Sequence, residues 1–195
     1  MTADATPVPE ARAMHGAAYD EPIYQKGLAH VWIHTVNYVE LAERRGLHVF
    51  ARGEGSTLYD ARGEAWIDAL SGLWVVNAGH GRREIAEAMA AQASTLAYVS
   101  SAAYTSVPAV ELAETLARLT PGDLQRVFFS SGGSEAVETA IKIAKQTQVL
   151  RGFPRRYKII ARRGSYHGMT YGAMSLTTGN RAQQERFFGP LMDGG

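Results

Sequence analysis

Residues 126–150, RVFFSSGGSEAVETAIKIAKQTQVL, change hydrophobic period at a pair of glycines, and no other stretch constrains the chain as strongly. Val127, Phe128 and Phe129 form a β-favouring apolar run, whereas Ala136, Val137, Ala140, Ile141 and Ala144 recur at helical spacing. The spacing predicts a buried strand, a glycine-bearing turn and an amphipathic helix. In the turn stand Ser130, Ser131, Gly132, Gly133 and Ser134, where glycine lets the backbone approach a ligand and the new helix offers amides with no intrahelical acceptor. Aligned peptide dipoles place roughly half a positive charge at such an N-terminus, and serine hydroxyls add donors that rotate to meet an anion. The same residues equally fit a plain connection, with glycines for a tight turn and serines as caps.

Familiar nucleotide motifs do not decide between these readings. No lysine follows the second glycine as a Walker loop requires, and the three-glycine dinucleotide spacing is missing. Gly79, His80 and Gly81 begin such a spacing, but Arg82, Arg83 and Glu84 open a helix where the third glycine would fall.

Composition removes several function classes. Twenty Lys plus Arg against 19 Asp plus Glu give a net charge of +1, and no basic cluster is interleaved with aromatics as a nucleic-acid face would be. Arg155, Arg156 and Lys158, and the pair Arg162 and Arg163, read as solvated strand flanks. The absence of cysteine excludes disulfides and thiolate metal sites. No apolar run approaches the roughly 20 residues of a membrane span and no secretory core is visible at the N-terminus, so the expected location is the cytoplasm. At 195 residues and 46% hydrophobic content, the chain is long enough for a sizeable core.

Read in order, residues 1–20 carry Pro7, Pro9 and small residues without periodicity, which predicts a loose arm. Residues 27–38 favour neither period. His30 and His34 have the spacing of a metal pair only on a helix, and without a third ligand they read as packed or surface histidines. Residues 47–51, 57–60 and 65–69 read as short antiparallel strands, with the polar segment from Asp60 to Glu64 as a hairpin turn. Residues 82–97 and 108–119 show helical spacing, the second with Ser106 as N-cap, Pro108 in the first turn, and Pro121 and Gly122 as a stop. A strand over 157–161 and a short helix over 169–176 follow. A βαβ unit of this kind wants a parallel sheet covered on both faces, and only two strands are available for it. The expectation is an N-terminal portion of a longer enzyme.

FFSSGGSEAVETAIKIAK, followed by RRGSYHGMTYGAMSLTTG, resembles the cofactor-phosphate region of class III pyridoxal-phosphate aminotransferases. LYDARGEAWIDALSGLWVVNAGHGRREIAEAM extends the resemblance upstream, toward the ω-transaminase branch. The resemblance implies an α/β fold: the N-terminal part of a fold-type I PLP-dependent transferase, with a small antiparallel sheet segment and then the start of a three-layer α/β/α large domain. It implies an arm over 1–20, the N-terminal part of the small domain over 21–80, and the first part of the PLP-binding domain over 81–195. It also implies pyridoxal 5'-phosphate as cofactor, small-molecule amine and oxo-acid substrates, and a homodimer with shared active sites.

Site residues carry over position by position. Gly133 and Ser134 fall on the family's phosphate-binding Gly-Ser pair, with Gly132 where a serine is common. Tyr166 matches the aromatic residue that stacks on the pyridine ring, and His167 with Gly168 completes that motif. Trp74 falls on a position lining the substrate pocket, and Ala102 and Ala103 stand where some relatives carry phenylalanines, which implies a roomier pocket. Glu135 is expected to point away from a phosphate. The Schiff-base lysine lies beyond Gly195 in the family's chain, so no catalytic residue is assigned here. Lys142 and Lys145 sit about 12 to 16 Å along the helix from the phosphate turn, while Lys26 and Lys158 match no motif. The implied reaction is amino transfer between an amine or ω-amino acid and an oxo-acid such as pyruvate. The competing expectation is a catalytically incomplete fragment or oligomerisation module that keeps part of the phosphate site; an aminomutase or decarboxylase on the same scaffold is a third.

Overall fold

A computed structural model describes residues 22–192, which divide into two compact units after Tyr98. The loose arm expected over 1–20 lies outside the described residues.

The first unit begins with α1 (Pro22–His30) and α2 (Tyr38–Glu43). Asn37 caps α2, its Oδ1 accepting from the amides of Val39 at 3.1 Å and Glu40 at 3.3 Å. Tyr24 on α1 and Leu47 are buried together, with Leu28, Ile33 and Val49 packed around them. A methyl at Gly27 would stand 2.9 Å from Leu47 Cδ2, so this glycine lets α1 approach the chain that leads into the sheet. His30 ends α1 and His34 lies beyond it, and no group of potential metal ligands forms among the described residues.

Three antiparallel strands follow in the order β1 (Phe50–Glu54), β2 (Thr57–Asp60) and β3 (Ala65–Ile67). The first starts three residues later than its apolar pattern suggests, and its register is irregular between Phe50 and Arg52. Asp60 makes the hairpin turn: its Oδ1 accepts from the amides of Arg62 and Glu64, both at 2.9 Å.

Beyond the sheet comes α3 (Ser71–Trp74), a single turn wound left-handed. Ser71, Gly72, Leu73 and Trp74 have φ of 50°, 59°, 64° and 66°. Each residue other than glycine costs about 1–2 kcal/mol in this region, so the turn opposes folding by about 3–6 kcal/mol before other contacts offset it. Nothing in the sequence pattern signalled it. The helix α4 (Arg83–Thr95) then closes the unit.

The second unit opens with α5 (Val107–Leu119). Ser106 holds the extended backbone of an N-cap but its side chain makes no capping bond, and Pro108 does lie in the first turn. The long α6 (Gly133–Leu150) ends in a Schellman motif, where Gly152, at φ 82°, donates to Val149 O at 3.0 Å and Phe153 donates to Gln148 O at 2.8 Å. Two short helices, α7 (Tyr171–Leu176) and α8 (Arg181–Phe188), complete it. Residues 172–177 are buried, against one buried residue in α6, so the core of this unit sits where α7 meets α6.

The strands expected over 127–129 and 157–161 do not form among the described residues. A strand is stable only as part of a ladder, and neither segment has a pairing partner. Phe128 is 69% exposed and Ile160 98% exposed, so their apolar side chains lack a covering layer.

Candidate functional site

The helix α6 brings Ser134, Glu138 and Ile141 onto one face by their i, i+4, i+7 spacing, and this face meets α7. Each polar member takes a backbone partner from α7 or from the segment that leads into it. Ser134 Oγ accepts from the Met169 amide at 3.0 Å. Glu138 Oε1 accepts from the amides of Gly172 at 2.8 Å and Ala173 at 3.1 Å, which satisfies donors at the start of α7. The Thr170 hydroxyl beside it is the largest influence holding the Glu138 carboxyl below its ordinary value of 4.5, followed by the Ala173 and Gly172 amides and then the charge of Lys142. Thr170 Oγ1 itself does not meet hydrogen-bond geometry, so the two amides are the contacts that fix the carboxylate.

Gly168 closes the joint. At φ 140°, it stands where an added methyl would lie 2.5 Å from Ser134 Oγ and 2.9 Å from both Ser134 Cα and Ala173 Cβ. Only glycine allows that approach. The motif preceding it is tied to the far end of α7: the His167 amide donates to Thr177 Oγ1 at 2.9 Å, and the Thr178 amide to Ser165 O at 3.0 Å. Residues 165–168 are thereby held against the head of α6.

The head itself suits an anion. The chain enters α6 through Gly132 in extended conformation, and the 18-residue helix starts at Gly133. Its first amides point out of the helix end. An added methyl at Gly133 would meet nothing within 4 Å, so this glycine faces open space. Because the Met169 N–H occupies a lone pair of Ser134 Oγ, the serine's own hydrogen remains available to donate. His167 Nε2 is buried without a hydrogen-bond partner among the described residues. Tyr166 is 66% exposed and is no core tyrosine. Ser134 thus meets Gly168 at the joint, and Tyr166 and His167 precede that glycine in the chain.

With no anion at the helix end, Glu135 takes that place itself. Its Oε2 lies 2.8 Å from the position of a Gly132 methyl, so the carboxylate folds back over the helix end. A free amide cluster attracts the nearest carboxylate, and Glu135, in the first turn, is within reach. Sequence reasoning missed Glu138 and the glycine joint at 168. A polar residue on a stripe shared with Ser134 and Ile141 was the available signal.

Trp74 belongs to the first unit, in α3, and is 71% exposed. Lys145 Nζ donates to Met192 Sδ at 3.9 Å and stands 6.0 Å from the Tyr157 ring centroid. No helix among the described residues is long and apolar enough to cross a membrane.

Residues 38–194 match the sequence model of the aminotransferase class-III family. The chain belongs to the class-III aminotransferases. A probable aminotransferase of Mycobacterium tuberculosis is 57% identical over 129 residues, covering 66% of this chain and 28% of that relative. The taurine–pyruvate aminotransferase of Rhodobacter capsulatus is 40% identical over 185 residues, covering 93% of this chain and 39% of its own length. Among solved structures, an (S)-enantioselective ω-transaminase from Thermomicrobium roseum superposes with a TM-score of 0.81 at 44% identity, over 88% of this chain and 38% of that one. The fold is therefore the N-terminal part of a fold-type I transferase, and the class-III aminotransferase chain described here spans about a third of the length of these relatives.

Proposed function

We propose that this chain builds the phosphate end of a pyridoxal 5'-phosphate site in an enzyme that moves an amino group between an amine or ω-amino acid and an oxo-acid such as pyruvate. The observation that carries the reading is the Ser134 hydroxyl at the head of α6: its acceptor side is taken by Met169, and its hydrogen is left to donate beside the open face of Gly133. The amides of Gly133 and Ser134 would bind the phosphate, Tyr166 would limit rotation of the ring, and His167 would face a polar group of the bound cofactor. When bound, the cofactor supplies the electron sink for labile bonds at the amine carbon. Trp74 would form an apolar wall for the amine substituent, with Ala102 and Ala103 leaving room beside a neighbouring subunit in a cytoplasmic homodimer. Pyruvate as acceptor is supported by relatives named for taurine–pyruvate, β-alanine–pyruvate and ω-amino acid–pyruvate transfer. A tryptophan-to-glycine variant of a solved relative, engineered for synthesis of bulky amines, supports a wall role for a tryptophan.

The test is a titration of the chain with pyridoxal phosphate and with pyridoxal, which lacks the anion. The reading predicts phosphate-dependent binding that Ser134→Ala weakens about tenfold. Equal affinity for both ligands contradicts it.

A second reading, in which the 195-residue chain is by itself catalytically incomplete, is favoured by the uncovered apolar side chains of Phe128 and Ile160. Borohydride reduction in the presence of the cofactor, followed by peptide mapping, decides it. Modification of Lys26, Lys142, Lys145 or Lys158 in an active 195-residue chain would contradict it.

A further inference from the structure

The left-handed turn α3 is costly, and its apolar residues do not offset that cost by burial: Leu73, Trp74 and Val75 are all exposed. Beside its own backbone bonds, such as Trp74 N–H to Leu70 O at 2.8 Å and Val75 N–H to Ser71 O at 2.9 Å, a chain of polar contacts ties it back to the sheet. Asp68 Oδ1 accepts from the Gly72 amide, in the middle of the turn, at 3.0 Å. Asp68 Oδ2 is bonded to His80 Nε2 at 2.8 Å, and the Asp68 amide donates to Ser56 O at 2.8 Å. The Asp68 side chain is only 8% exposed. His80 is fixed in turn: its backbone exchanges two hydrogen bonds with Gly55, of 2.8 and 3.0 Å, and its Cγ stands 2.6 Å from the position of a Gly53 methyl. The Gly72 amide, and next the His80 ring, hold the Asp68 carboxyl below its ordinary value, so it stays an anion and a strong acceptor.

We propose that His80 and Asp68 form a clamp that sets the left-handed turn carrying Trp74, making His80 a positioning residue for the choice of amine. The inference rests on the reading of Trp74 as a substrate wall. An indole on a strained, exposed turn keeps its orientation while the backbone stays wound, and the contact at Gly72 adds the side-chain tie to the turn's own backbone bonds. Without the imidazole, the carboxylate turns toward water, the turn relaxes, and the wall moves while the phosphate-binding joint of the second unit keeps its own contacts.

The test uses the full-length, cofactor-loaded aminotransferase that carries this chain, labelled with 5-fluorotryptophan, with Trp74→Phe assigning the Trp74 resonance by ¹⁹F NMR. The clamp predicts that His80→Ala shifts or broadens that resonance. It also predicts that the kcat/KM ratio of a bulky to a compact amine changes about tenfold, through KM, while kcat for the compact amine stays within about twofold. His80→Gln, whose amide nitrogen reaches the place of Nε2, is predicted to restore both. Should His80→Ala fail to fold, Asp68→Ala carries the same readouts, since it removes both the acceptor of the Gly72 amide and the partner of the imidazole. If Trp74→Gly moves the substrate ratio while a folded clamp variant moves neither ratio nor resonance, the wall stands and the clamp is overturned. If Trp74→Gly leaves the ratio unchanged, the wall fails and the specificity role of His80 fails with it.

Discussion

A carboxylate fixes each of two places in this chain, the joint of α6 with α7 and the turn α3, and the two differ in what the backbone itself costs. At the head of α6 the chain passes through Gly132 in an extended conformation that any residue adopts, then enters an ordinary right-handed helix. Glu138, one helical turn beyond Ser134, organises the neighbouring α7, and glycine is required at 168 because Ser134 and Ala173 leave no room for a side chain. At α3 the conformation is the expensive element: Ser71, Leu73 and Trp74 are wound left-handed, and the Asp68 carboxylate meets the turn at the amide of Gly72. The comparison separates two ways of shaping a site. One uses space within relaxed backbone, and the other uses strained backbone under a clamp.

Filling the space at the joint is the most damaging change. Gly168→Ala adds a methyl against both the side chain and the backbone of Ser134 at a positive φ, so it is expected to destabilise the second unit by about 3 kcal/mol, read from the urea midpoint at constant slope. An unchanged midpoint would show that the joint yields and is not tightly packed.

Glu138→Ala should cost about 2 kcal/mol, because it strands two amides at the start of α7. Its pH signature follows from the depressed folded-state value. The carboxylate's contribution is fully present above the ordinary value of 4.5 and is lost as pH falls through the lower folded value. The wild-type chain should therefore lose stability in that acid window, and Glu138→Ala should flatten the loss. A parallel loss in both proteins would remove Glu138 as its source.

A smaller effect of opposite sign sharpens the contrast. Leu73→Gly relieves a positive φ at an exposed site and should stabilise the first unit by about 0.5–1 kcal/mol, whereas Ala140→Gly, within α6, should destabilise by about 1 kcal/mol. Thermal melts of the two variants check the pair. If both replacements destabilise alike, the left-handed turn carries no strain.

The difference between the two places also explains how much of each was legible in the sequence. The helix α6, its glycine head and the motif from Ser165 to Gly168 stand out because hydrophobic period and glycine placement report relaxed backbone directly. The antiparallel strands were legible from alternation and from Asp60 at the turn, with β1 displaced because pairing, not apolar content, decides where a ladder begins. The segments around Phe128 and Ile160 have strand chemistry without a ladder, since a strand needs a neighbour that local sequence does not specify. The turn at α3 was illegible because Leu73 and Trp74 disfavour a left-handed conformation, and part of what holds it is the contact of Asp68 with His80, twelve residues further on. Glu135 answers to the same helix end: without an anion there, its carboxylate folds back over Gly132.

The most direct measurement is a crystal structure of the full-length aminotransferase loaded with pyridoxal phosphate. The account predicts the phosphate within hydrogen-bond distance of the Gly133 and Ser134 amides and of Ser134 Oγ, with Met169 still donating to that oxygen and Glu135 swung off the helix end. A phosphate bound elsewhere, with Glu135 still folded over Gly132, would contradict it.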